Sequence, residues 1–371
     1  MEIAPFAIEE FFARYEFTVP YMLCASDCET MSVGELLDLA GMKREELADL
    51  SLGYTDTQGD GQLREAIAGS YETVTPEHVV VLGAPEEGIY ITMRSLLSPG
   101  DEVVVMAPAY QSLRRLAEHI CGEENVKLWH VRAREGGWRA DLDELEALLT
   151  PRTRLLIVNF PHNPTGYLPT PAEFDSIIEM VQEAGVQLFS DEMYRGLENG
   201  AAERLAAAID KAPDSIVLSG LSKVYGLPGL RSGWLVVRDE TVRHQLIGWK
   251  HYTTICPPGP SELLALAAMR AREALRQRSQ DIVDRNLEAA DAFFARWPDL
   301  FTWRRPQAGP VALVGVNRPS AEAFCQELIE EAGLLLLPAT NLDYDDRHVR
   351  FGFGRRDAAR NLQRLDDYLA A

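Results

Sequence analysis

The chain has 371 residues, 46 % apolar and 25 % charged, the balance of a globular protein with room for about two domains. Its formal net charge of −21 repels nucleic-acid backbones and anionic membrane surfaces, and no apolar run approaches the ~18 residues of a membrane span. The first residues carry acids where a signal peptide needs basic ones, so a cytoplasmic protein is expected. Its cysteines (Cys24, Cys28, Cys121, Cys256 and Cys325) are scattered. Only Cys24 and Cys28 are close, and a lone Cys-x3-Cys is a poor zinc signal; buried thiols in a reducing compartment are the simpler reading.

Residues 1–50 read as an N-terminal arm followed by a helical stretch at 32–50, with no catalytic signal of their own, although the resemblance described below implies substrate-contacting residues at about 21–28. Residues 52–67 form a loop opening into an amphipathic helix, with Tyr54 and Gly59 ahead of Leu63 and Arg64. Strands are predicted at 78–82, 102–106, 127–131, 155–158, 186–189 and 216–218, and helices at 86–97, 112–121, 141–148 and 171–184. Strands apolar throughout and separated by helices predict an α/β fold with a mainly parallel sheet covered on both faces. Ligands of such sheets lie beyond the carboxyl ends of the strands. The rigid break Cys256-Pro-Pro-Gly-Pro260 is read as a hinge, which gives a large domain at 51–255 and a small one at 256–371, the arm packing with the latter. The small domain is expected to be α+β, with a helical pattern at 261–297, strands at 311–316, 334–337 and 348–353, and helices at 321–331 and 356–370.

The chemically suggestive residues fall at predicted strand ends. Gly83 and Ala84 open a helix, where free N–H groups suit a phosphate, although Pro85 brings none. Tyr110 follows the second strand and either packs in the core or faces a ligand. Asn163 sits in an Asn-Pro-Thr-Gly turn. Asp191 ends a buried strand, where a carboxylate is costly unless paired, and Tyr194 follows three residues on. Lys223 and Arg231 lie in a glycine-rich turn between two strands; they are either loop charges, or the amine for an aldehyde cofactor and the grip on its phosphate. Arg350 has apolar neighbours and is either paired in the core or turned to a ligand, while Arg355 and Arg356 read most simply as surface charge at a helix start, or else as partners for a distal acidic group.

The run Ser219-Gly-Leu-Ser-Lys-Val-Tyr-Gly-Leu-Pro-Gly-Leu-Arg-Ser-Gly-Trp234 resembles the signature of the fold-type I, class I/II pyridoxal-phosphate aminotransferases. Further matches extend from about Tyr54 to Arg350. The resemblance implies pyridoxal 5′-phosphate held by Lys223 as a Schiff base. Asp191 would lie at the ring nitrogen, and Asn163 and Tyr194 at the phenolic oxygen. Tyr110 would stack on the ring, while Arg231, Gly83, Ala84 and Ser222 take the phosphate. Arg350, with Asn163, would bind the substrate's α-carboxylate. Tyr54 would serve a neighbouring subunit's phosphate, which implies a homodimer. Gly220 departs from the pattern, since the family usually has serine or threonine there; Ser219 or, preferably, Ser222 is expected to compensate. The activity implied is transfer of an amino group from an α-amino acid to a 2-oxo acid. One alternative is a lyase or cyclase on the same fold (elimination, replacement or ring closure, as in relatives such as capreomycidine synthase), and another is a cofactor-binding domain without turnover.

Overall fold

The computed structural model describes residues 3–371. An eight-stranded sheet runs in the order Val79–Leu82, Gly233–Val237, Ile216–Gly220, Gln187–Asp191, Thr153–Asn159, Glu102–Ala107, Val126–Arg134, Gly137–Ala140. Only Gly233–Val237 and Gly137–Ala140 oppose their neighbours; the pairs between them are parallel. The Val, Leu and Ile runs are buried on both faces, as helix-covered parallel strands require. Helix ends are set locally. Thr170 and Glu173 form a capping box around Pro171, and Gly185 closes that helix in the left-handed conformation (φ 64°).

A second apolar core lies under a four-stranded antiparallel sheet ordered Phe301–Thr302, Val311–Val316, His348–Gly352, Leu337–Pro338. The N-terminal arm joins it, because Tyr21–Met22 pairs in parallel with Leu334–Leu335. Among the described residues no helix is long and apolar enough to cross a membrane.

Several predicted elements need correction. The helix at 32–50 is two, Val33–Ala40 and Arg44–Ala48, because Gly41 turns left-handed (φ 66°) and stops the first. The pattern at 261–297 breaks at Ala271 into Gly259–Arg270 and Arg272–Arg296. The strand at 334–337 divides between two sheets, and the helix at 321–331 ends at Glu327 and widens into a π turn over Leu328–Ala332. The helices Ala7–Tyr15 and Glu240–Lys250 are additional.

The arm crosses the second sheet on glycines. A Cβ at Gly352 would stand 1.9 Å from the Ala25 carbonyl oxygen, and one at Gly354 2.3 Å from that of Asp27. Gly226, at φ 67°, leaves equal room for Glu29, whose carbonyl oxygen a Cβ would meet at 2.4 Å. Gly352→Ala is therefore expected to cost about 1–3 kcal/mol by overpacking and to loosen the arm. Calorimetry and limited proteolysis of the N-terminus check this; unchanged melting and cleavage would contradict it.

Candidate active site

Beyond the carboxyl ends of the parallel strands lies a cavity of about 620 Å³. Ile216–Gly220 delivers Lys223 to it, and Gln187–Asp191 delivers Asp191. Thr153–Asn159 leads to Asn163, and Glu102–Ala107 to Tyr110, which caps the following helix. These side chains, with Tyr194, Ser222, Arg231 and Arg350, all line the one cavity. The turn carrying Asn163 is tied to the strands: Asn163 N–H donates to Asn159 Oδ1 at 2.7 Å, and Asn159 Nδ2 donates to the Asp191 carbonyl at 3.0 Å.

The arm, which carries no catalytic motif of its own and only the family's placement of substrate contacts at 21–28, meets these residues directly. Lys223 Nζ donates to Ser26 Oγ at 2.8 Å, and Tyr194 Oη donates to the Ser26 carbonyl at 2.8 Å. Arg350 donates to the Cys24 carbonyl at 2.9 Å and to Asn163 Oδ1 at 3.3 Å. Arg355, expected at the surface, lines the cavity and grips Asp27 with two bonds of 3.1 and 2.8 Å, because the arm places that carboxylate beside it. The helix Ala7–Tyr15 adds Glu9 and Phe12, and Glu16 follows at its end. The Glu9–Phe12–Glu16 spacing, one helix face, was the available signal.

Two predicted phosphate residues sit differently from expectation, and Tyr54, expected to serve a second subunit, is exposed. Gly83 and Ala84 do not form the cavity wall, which Pro85 and Glu86 supply, and the Gly83 N–H is taken by Glu87 at 2.8 Å. Tyr54 is 91 % exposed and is not brought to the cavity of its own chain. Ser222 does line the cavity, whereas Ser219 faces a separate pocket beside Tyr71 and Trp234. The two departures from the family pattern touch each other. A Cβ at Gly220 would stand 3.0 Å from Pro85 Cγ and 3.0 Å from the Ser232 carbonyl oxygen, so a side chain at 220 would be tightly crowded by both. His162 is a buried clamp, bonded to Thr165 at 2.7 Å and the Pro108 carbonyl at 2.8 Å; burial lowers its pKa to about 4.

The donor set fits pyridoxal phosphate. Ser222 Oγ and Arg350 Nε are buried without a hydrogen-bond partner. Such atoms are costly until a ligand satisfies them. Burial raises the Asp191 carboxyl to about 7, and the Met193 N–H, which donates to it at 3.1 Å, and the charge of Lys223 only partly offset this. A protonated ring nitrogen would supply the adjacent cation it lacks. Lys223 is shifted down, chiefly by burial.

Similarity to known proteins spans the chain. The profile of the family described as "Aminotransferase class I and II" matches residues 23–364. Capreomycidine synthase of Streptomyces vinaceus is 30 % identical over 369 residues, covering 98 % of this chain and 93 % of that protein. A PLP-dependent aminotransferase from Streptococcus suis superposes with a TM-score of 0.93 at 27 % identity, over 100 % of this chain and 98 % of that one. The PLP-dependent cyclase OrfR gives 0.92 at 29 % identity, over the same 100 % and 98 %.

Asp191 yields a pH prediction for the cofactor-free protein. Its folded pKa lies above the unfolded value, so the folded state holds the extra proton and stability falls as pH rises from about 4 to 7. Asp191→Asn should remove that loss and gain up to about 4 kcal/mol on wild type between pH 5 and 8. Unfolding midpoints across pH measure it, and a difference independent of pH would contradict the assignment.

Proposed function

The chain belongs to the class I and II aminotransferase family, whose cofactor is pyridoxal phosphate, and we propose that it moves the amino group of an α-amino acid to a 2-oxo acid. The observation that carries this reading is a half-buried lysine of lowered pKa in one cavity with a buried aspartate that has no cation beside it and a buried arginine.

Lys223 would carry the cofactor covalently, Arg231 and Ser222 would hold its phosphate, and Tyr110 would lie against its ring. When bound, pyridoxal phosphate supplies an electron sink that acidifies the substrate's α-hydrogen. Arg350 orients the α-carboxylate through a guanidinium already fixed by Cys24 and Asn163. Lys223 Nζ then takes the proton from Cα and returns it as a general acid; its lowered pKa makes the neutral amine accessible. Asp191 keeps a negative charge where the ring nitrogen's proton needs it. Tyr194, committed to the Ser26 carbonyl, needs to turn its proton to serve a ligand oxygen. Tyr54 and Leu52, both exposed, stand on a loop joined to the 252–257 segment by a Thr55–Pro257 bond of 2.7 Å, next to exposed Tyr252 and Ile255. We take this surface as a homodimer contact through which Tyr54 serves a second copy's cavity. Free cysteines throughout suit a cytoplasmic setting.

The similarity to capreomycidine synthase and to OrfR favours a second reading on the same residues. Here Lys223 takes the same Cα proton, but loss of a β-substituent follows, leading to elimination, replacement or ring closure. Titrating the holoenzyme with amino acids in the absence of any oxo acid separates the two. Amino transfer predicts stoichiometric loss of the visible band in one step. A band that persists while product accumulates over many turnovers would overturn it in favour of the second reading. On either reading Arg350→Ala should weaken amino-acid binding at least about tenfold, the value of a charge-assisted hydrogen bond, and leave cofactor affinity within about twofold. Equal loss of both would remove Arg350 from its role.

A further inference from the structure

We propose that the substrate's side chain ends in a cation, an ammonium or a guanidinium, received by Glu9 and Glu16. This rests on the reading that the cavity takes an α-amino acid. Most of the cavity's charges have stations. Arg355 is matched by Asp27 through two bonds, and Arg350 is held by Cys24 and Asn163. Lys223, Arg231 and Asp191 belong to the cofactor under the reading above. Glu86, on the opposite element, is half-buried beside Tyr110 and Ser112, and two carboxylates remain on the N-terminal helix. Among the described residues the Glu16 carboxylate makes no hydrogen bond or ion pair, with the charge of Arg355 nearby, and the exposed Glu9 meets only the Tyr110 hydroxyl, at 3.4 Å. They are seven residues apart and so share a helix face, with Phe12 between them, and all three line the cavity.

A separate observation points to a ligand there. Arg350, 1 % exposed, has an unpartnered Nε, and its guanidinium carbon stands 6.0 Å from the centre of the Phe12 ring. An anion at Arg350 therefore lies beside the helix that carries the two free carboxylates. A ligand with a carboxylate at Arg350 and a cation reaching Glu9 and Glu16 matches both ends, and Phe12 offers an apolar surface to the methylenes between. Burial raises the pKa of Glu16, consistent with a charge awaiting a partner.

The test uses wild-type holoenzyme and the isosteric variants Glu9→Gln and Glu16→Gln. Dissociation constants for L-arginine, L-lysine, L-norleucine and L-glutamate are read from the amino-acid-induced change in visible absorbance and repeated by calorimetry. We expect L-arginine or L-lysine to bind at least about tenfold tighter than L-norleucine. Each variant should lose at least about fivefold for the cationic amino acids while L-norleucine stays within about twofold. Norleucine or glutamate binding as tightly as the cations, in wild type alone, would overturn the proposal, as would variants that weaken every amino acid alike. A holoenzyme that shows its visible band but responds to no amino acid would instead defeat the underlying α-amino-acid reading, and this one with it.

Discussion

Three residues of the N-terminal arm, Cys24, Ser26 and Asp27, hold the site together. They touch Arg350, Lys223, Tyr194 and Arg355 in turn, through two backbone carbonyls, one hydroxyl and one carboxylate. None of those partners belongs to the arm's own neighbourhood in sequence. The arm reaches them because Gly226, Gly352 and Gly354 present no side chain where it passes. A backbone contact this close is unforgiving, so the geometry of two separate apolar cores is fixed relative to one cavity.

The cavity is electrostatically unfinished. Asp191 is buried without an adjacent cation, Ser222 and Arg350 keep unpaired polar atoms, and Lys223 is desolvated. Each of these costs folding free energy, and under the proposed function each would be offset by a group of the cofactor or substrate. The rigid sheet makes this tolerable, since strands buried on both faces hold their carboxyl ends in place whether or not the cavity is filled. Pro85 and Gly220 show the same economy of space. Proline at a helix start loses an amide that a phosphate would use, and its ring crowds the place of the side chain missing at 220, which leaves Ser222 as the serine on the cavity wall.

The sequence is most legible where chemistry and local geometry coincide. Apolar runs gave the parallel strands, and turn-forming motifs gave Asn163, Lys223 and Arg231 at their ends. What stayed hidden depends on distant contacts. The Lys223–Ser26 bond joins residues 197 apart, and Arg355–Asp27 joins residues 328 apart, so nothing local pairs Ser26 with Lys223 or names Asp27 as the partner of Arg355. The helix Ala7–Tyr15 alternates acids and aromatics, which reads as an exposed arm until the cavity gives one face a purpose. Gly41 and Ala271 divide helices whose apolar pattern runs on past them, because periodicity registers a face and not a stop.

The central claim is that Lys223 is the amine that holds the cofactor. Borohydride treatment of the pyridoxal-phosphate-loaded protein, followed by peptide mass mapping, tests it most directly. The account predicts one phosphopyridoxyl addition, on the peptide carrying Lys223. Addition at Lys250, a fully buried lysine paired with Glu87 at 3.4 Å, or at no lysine, would contradict it.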